Sequence, residues 1–158
     1  MIFSLDLLCF MLVWQFYLRN GTAYVPTTAQ TEAGFYMDIE PVEVVPATDF
    51  QALQQAIKRS LNRGNPKVPT PSRASYPKPV MLQYARVKSW SAFAKGAKNW
   101  IVVDEHGTYQ IKPGRKHPRG GWEDDPTKIE ILLCGTTLDT VAERIASSMQ
   151  LALGNTFL

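Results

Sequence analysis

The chain has 158 residues, of which 45% are hydrophobic and 11% aromatic, which suits one globular domain and excludes a chain that is disordered throughout. Its two cysteines, Cys9 and Cys134, are too few and too far apart for a disulfide framework or a thiolate metal site. They fit a reducing cytoplasm. The net charge is only +3.

Basic residues are concentrated in the middle of the chain. Residues 50–120 contain 14 Lys and Arg residues and two acidic residues, whereas the remainder contains three basic and 12 acidic residues. A basic middle between acidic ends is compatible with internal charge pairing, with a phosphate-binding face, or with a surface that meets an acidic partner.

The first 18 residues, MIFSLDLLCFMLVWQFYL, are strongly apolar. They lack the basic residues and the cleavage site of an export signal. A membrane anchor through residues 1–18 is the alternative, although it would bury Asp6. The Asn20-Gly21 pair favours instead a β-hairpin with arms Leu12–Arg19 and Thr22–Val25, which leaves too few residues for a span. We therefore expect a cytoplasmic protein without a membrane contact.

Residues 12–45 predict an antiparallel meander of three strands. In the third strand, apolar and polar residues alternate up to Val45. Pro41 lies inside this strand and has no backbone N–H to donate, so we expect an edge position or a bulge there.

A helix is predicted over residues 48–64. Thr48 is its expected N-cap, Gln51 completes a capping box, and Gly64 ends the helix. Residues 65–79 follow, with five prolines, and predict an extended connection that runs over the surface.

Residues 80–153 predict a helix, a hairpin, a strand and a helix. Ser89 is the expected N-cap of a short first helix. The β-branched and aromatic runs Trp100–Val103 and Thr108–Ile111 predict a hairpin, which a turn over residues 104–107 closes. The whole chain, 1–158, is thus predicted to be a single α+β domain, with an antiparallel sheet of about six strands and three helices packed on it.

The polar segment 112–125 is predicted to be a loop between this hairpin and a strand over Lys128–Leu133. A last helix follows, with threonine as its cap and an apolar stripe on one face. We expect that stripe to be buried, and its residues are Leu138, Val141, Ala142, Ile145, Met149 and Ala152.

Two alternative functions arise from the residue types. His106 and His117 beside Lys116 supply the base, acid and phosphate clamp of a small ribonuclease. The basic residues of 50–120 suit RNA or single-stranded nucleic acid, together with interleaved aromatic residues. These are Tyr76, Tyr84, Trp90, Trp100 and Tyr109.

The sequence contains no phosphate-binding, dinucleotide-binding, zinc-protease or nucleophile-elbow motif, and we assign no catalytic residue, metal site or cofactor.

The polar loop favours a third function, the binding of another protein. It combines Trp and Arg, which anchor interfaces, with charges that steer association. The predicted partner-binding residues are Arg115, Arg119, Trp122, Glu123, Asp124 and Asp125.

Three segments of the C-terminal half resemble a known family. YARVKSWSAFAKGAKNW, GGWEDDP and GTTLDTVAERI are similar to segments of small bacterial immunity proteins of contact-dependent growth inhibition systems. The resemblance implies a non-enzymatic protein that neutralises a cognate toxin by covering its active site. Inhibitors of nuclease toxins tend to be acidic, and this chain departs from that tendency.

Overall fold

A computed structural model describes residues 11–154, which form one α+β domain around an eight-stranded sheet. The strand order is β3-β2-β1-β5-β6-β7, and β4 joins β2 while β8 joins β6. All pairings are antiparallel except that of β4 with β2. The strands are β1 (Met11–Arg19), β2 (Thr22–Thr31), β3 (Tyr36–Pro46), β4 (Lys67–Val68), β5 (Ala97–Glu105), β6 (Thr108–Lys116), β7 (Trp122–Asp124) and β8 (Glu130–Leu132).

The α+β class with an antiparallel sheet is confirmed, and the structure adds short elements that the sequence did not predict. These are β4, β7 and the helix α2, which is too short to show a helical period in the sequence. The helices within residues 11–154 are α1 (Phe50–Arg63), α2 (Met81–Ala85), α3 (Trp90–Lys95) and α4 (Leu138–Gly154), with a 3₁₀ turn at Arg73–Ser75.

Strand β1 lies in the middle of the sheet, which contradicts a membrane anchor over its residues. It pairs with β5 along its whole length and with β2 near its end. The hairpin from β1 to β2 turns at Asn20 and Gly21, whose φ angles of 52° and 75° match the predicted Asn-Gly turn. Residues 1–10 of the proposed anchor lie outside the described residues. No helix in the described part of the chain is long and apolar enough to cross a membrane.

Strands β1 and β2 separate beyond their turn, and the side chain of Asn65 bridges the gap. Asn65 accepts a hydrogen bond from the backbone N–H of Val13 at 2.9 Å, and it donates to the backbone carbonyls of Val13 and Thr28 at 2.7 and 2.9 Å. The amide thereby replaces backbone pairing that the diverging strands cannot make.

Strand β3 is irregular at the predicted proline. Its register against β2 shifts between Val25 and Thr27, opposite the segment that contains Pro41. The strand also lies at the end of the sheet, where a missing backbone N–H is tolerated. Strand β2 continues to Thr31 and is longer than the arm predicted from the sequence.

Helices α1 and α4 cover one face of the sheet. They pack on alternate residues of β1, including Trp14 and Phe16, which are at most 1% exposed. The N-cap of helix α1 lies one residue later than predicted, because the carboxylate of Asp49, and not Thr48, accepts from the N–H of Ala52 at 3.1 Å. The predicted stripe of α4 is buried at its centre and partly buried at its two ends, Leu138 and Ala152.

Helices α2 and α3 cover part of the opposite face. Phe93 and Met81 are fully buried there against Tyr17 and Tyr24 of the sheet. Ser89 caps α3 as predicted and accepts from the N–H of Ala92 at 3.1 Å.

Candidate functional site

The polar segment 112–125 is a β-hairpin and not the predicted loop. Strand β6 continues through Lys116, and β7 returns beside it in the register Gly114–Asp124, Arg115–Glu123 and Lys116–Trp122. The strands could not be predicted from the sequence, because charged side chains lie on both of their faces. The usual alternation of apolar and polar residues is therefore missing. The hairpin brings the predicted partner-binding residues together, and we call this surface the β6–β7 hairpin.

The turn of the β6–β7 hairpin is held by His117. Its backbone N–H donates to the carbonyl of Gly121 at 3.0 Å, and its Nδ1 atom accepts from the backbone N–H of Arg119 at 3.0 Å. The side chain of Arg119 is exposed at this turn, and it makes no hydrogen bond or ion pair with any residue from 11 to 154. The hairpin therefore presents one uncommitted cation at its tip.

Trp122 is an internal anchor of the hairpin and not a free side chain. Its indole N–H donates to the carbonyl of Ala97 at 3.1 Å, and its ring contacts those of Tyr17 and Trp90 at centroid distances of 5.9 and 6.0 Å. Lys116 lies over the ring, 4.9 Å from its centroid. Trp122 thus attaches the hairpin to the sheet and α3.

The acidic residues of the hairpin are paired within the chain. Glu123 accepts from Arg115 at 3.1 Å, and Asp124 lies 3.6 Å from the ammonium group of Lys112. Asp125 accepts from the hydroxyl of Thr127 at 2.6 Å and from its backbone N–H at 3.0 Å. These two hydrogen bonds lower the pKa of Asp125. The pairs are exposed, so they orient the side chains while contributing little to stability.

The basic residues of 50–120 do not form one surface. Lys58 and Arg59 belong to α1 on one face of the sheet, and they pair with Asp139 and Glu43. Lys112 and Arg115 pair within the hairpin, as described above. Internal charge pairing, one of the three explanations of the uneven charge, therefore accounts for part of the basic block.

The aromatic residues of the nucleic-acid hypothesis are mostly not available for stacking on bases. Trp100 and Tyr109 are buried in the core between the sheet and α4, where the indole N–H of Trp100 donates to Ser148 at 2.8 Å. Trp90 is half-buried beside Phe93. A stacking platform needs exposed rings along one groove.

The two histidines of the ribonuclease hypothesis lie far apart. His106 is in the turn before β6 and His117 in the turn after it, so a nine-residue strand of roughly 30 Å separates them. One scissile phosphate cannot contact both, because acid–base catalysis requires hydrogen-bond distances. Among residues 11–154, no group of three or more His, Cys, Asp and Glu side chains is placed to hold a metal ion.

Sequence reasoning missed a cavity of about 640 Å³ beside α2 and α3. Asp38 of β3 lines it and accepts a hydrogen bond from the hydroxyl of Tyr17 at 2.6 Å. An acidic residue in an alternating strand normally faces solvent, so the pattern gave no sign that this carboxylate is buried. The proline-rich connection, predicted to lie on the surface, forms part of the wall through residues 76–79.

The fold is similar to that of two solved bacterial structures. One is a protein of unknown function from Neisseria meningitidis, with a TM-score of 0.61, 17% identity, and coverage of 92% of this chain and 94% of that one. The other is a chain of a CdiA-CT/CdiI toxin and immunity complex from Yersinia pseudotuberculosis, with a TM-score of 0.57, 15% identity, and coverage of 91% and 96%.

At these identities the similarity establishes a shared fold. No protein-family model matches the sequence, and no curated protein matches it. The fold shared with a chain of a toxin and immunity complex covers almost the whole chain, and at the level of the fold it confirms the resemblance found in the C-terminal half.

Proposed function

We propose that this protein is an immunity protein, which binds one cognate protein toxin and blocks it sterically without catalysing a reaction. The observation that carries the proposal is the shared fold over more than nine-tenths of both chains with a chain of a CdiA-CT/CdiI toxin and immunity complex. The wide separation of the two histidines supports a binding role, because it removes the acid–base pair that the residue types had suggested.

The β6–β7 hairpin is the proposed contact surface for the toxin. Arg119 is uncommitted at its tip, and the pairs Arg115–Glu123 and Lys112–Asp124 hold further charges in fixed positions beside it. Trp122 attaches the hairpin to the domain, so little conformational freedom would be lost on binding. A cation at the tip favours a toxin surface with complementary acidic residues.

The proposed site of action is the cytoplasm. Cys134 is an exposed free thiol, and such a thiol is kept reduced in that compartment.

Co-expression with the product of the adjacent upstream gene tests the proposal. We expect a complex with one copy of each protein and loss of the toxicity of that product. Recovery of the two folded proteins as separate species would refute the proposal.

A pair of matched variants tests the hairpin. We expect Arg119→Glu to weaken toxin binding at least tenfold, because reversing a charge opposite a complementary one costs on the order of 1.4 kcal/mol or more. Arg73→Glu makes the same change at an exposed position on the proline-rich connection and is expected to leave binding unchanged. Equal affinities of the two variants would exclude the tip of the hairpin as the contact.

A further inference from the structure

The cavity beside α2 and α3 is distinct from the β6–β7 hairpin. Its walls come from β1, β3, residues 76–80, α2 and the start of α3, and none of the six predicted partner-binding residues lines it. Its volume of about 640 Å³ is in the range of cavities that hold small organic ligands. It therefore has the size of a binding site of its own.

Only one of the two carboxylate oxygens of Asp38, in the wall of this cavity, has a hydrogen-bond partner. Its Oδ2 atom accepts from the hydroxyl of Tyr17, whereas its Oδ1 atom is buried and has no hydrogen-bond partner. A buried carboxylate oxygen without a partner is uncommon in folded proteins, because its lost hydration is not replaced. The wall of the cavity therefore contains a carboxylate whose hydrogen-bonding capacity is only partly used by the protein.

Within the described residues, no cation neutralises Asp38. Lys78 lines the cavity but makes no hydrogen bond or ion pair with residues 11–154. Glu40, the second acid of the lining, already accepts from Gln83 and from the hydroxyl of Tyr84, at 2.8 and 2.6 Å. Asp38 is thus the acid left for a ligand, and burial raises its pKa to about 7 while the hydrogen bond from Tyr17 lowers it. A bound cation would favour the ionised form.

Aromatic rings make up much of the remaining wall. Tyr17, Tyr36, Tyr76 and Trp90 all line the cavity, together with apolar side chains such as Leu82. Rings of this kind attract organic cations through their π-electrons, and they also accept the apolar part of such a molecule. A carboxylate among several rings is a combination that suits a cation better than an anion or a neutral sugar.

We infer that this cavity binds an organic cation, with a guanidinium or primary ammonium group held near the carboxylate of Asp38 and its alkyl part against the rings. The inference goes beyond the proposed function and does not depend on it, because it rests on the cavity alone. The cation belongs either to a free small molecule or to an arginine or lysine side chain of a protein.

NMR titration of the full chain tests the inference. The probe is n-butylguanidinium, and n-butylurea is its neutral control of nearly the same shape. We expect saturable shifts of the Asp38 carboxyl and Tyr17 ring signals with n-butylguanidinium, at least tenfold weaker binding of n-butylurea, and loss of guanidinium binding in Asp38→Asn. Glu143→Gln removes an exposed acid on α4 and is expected to bind as the wild type does.

A blocked Gly-Arg-Gly peptide distinguishes the two sources. Binding at least as tight as that of n-butylguanidinium would assign the site to a protein side chain, and much weaker binding would assign it to a free molecule. Either result is consistent with the inference. Equal binding of the guanidinium and the urea, unchanged binding in Asp38→Asn, or shifts that never saturate would overturn it.

Discussion

The substitution Asp38→Asn is predicted to stabilise the protein above neutral pH. In the wild type, burial raises the pKa of Asp38 from 3.8 to about 7. Between these two values the folded state binds a proton that the unfolded state has lost, so the free energy of unfolding falls as the pH rises from about 4 to 7. Asparagine at this position keeps an acceptor for the hydroxyl of Tyr17 and carries no charge to bury.

The magnitude follows from the change in pKa. Each unit of pKa corresponds to about 1.4 kcal/mol, so the change from 3.8 to about 7 corresponds to roughly 4 kcal/mol. Tyr17 does not add to this dependence, because burial and the neighbouring charge of Asp38 raise its pKa well above the usual value, so it stays protonated over this range.

Urea denaturation of both proteins at pH 4 and pH 8 measures the effect. We expect the stability of Asp38→Asn, relative to the wild type, to increase by about 4 kcal/mol from the lower pH to the higher. A difference that is independent of pH would show that Asp38 is not buried as a charged group, and it would remove the electrostatic support for the cation site.

Three further predictions concern other parts of the chain. Asn65→Ala is expected to lower the free energy of unfolding by about 2–4 kcal/mol, because it leaves backbone groups of Val13 and Thr28 unpaired, and an unchanged urea midpoint would contradict this. Gly114→Ala is expected to reduce the thermal midpoint by several degrees, because its Cβ would overlap the side-chain oxygen of Asn99 and lie 3.1 Å from Cβ of Trp122. The basic residues are divided between two faces of the sheet, so we expect that the protein does not retard RNA in a gel-shift assay at low salt. Retardation of RNA that decreases steeply with salt concentration would support the nucleic-acid hypothesis instead.

The elements with strong local signals could be predicted from the sequence. The Asn20-Gly21 turn, the cap at Ser89 and the irregularity near Pro41 each depend on the chemistry of a few neighbouring residues. The apolar stripe of α4 was also predictable, because it repeats over four turns of helix.

The parts that depend on distant contacts could not be predicted. Strand β7 has three residues, and it forms because Trp122 packs on Tyr17 and Trp90, which are remote in sequence. The ion pairs that its acids Glu123 and Asp124 form with Arg115 and Lys112 across the hairpin could not be predicted either. Pairing across strands depends on a register that a polar sequence does not specify.

The cavity also depends on distant contacts and could not be predicted from the sequence. Asp38 is half-buried in a cavity whose other walls come from residues 76–80 and helix α2, which are remote from it in sequence. Its environment is a property of the tertiary structure, and the proline-rich connection alone predicted no more than an extended path.

Native mass spectrometry of the chain co-expressed with its adjacent upstream gene product tests the central claim most directly. The proposal predicts a one-to-one complex in which the toxin is inactive, and release of toxic activity when the two proteins are separated. Two folded proteins that do not associate, or a complex in which the toxin remains fully active, would contradict it.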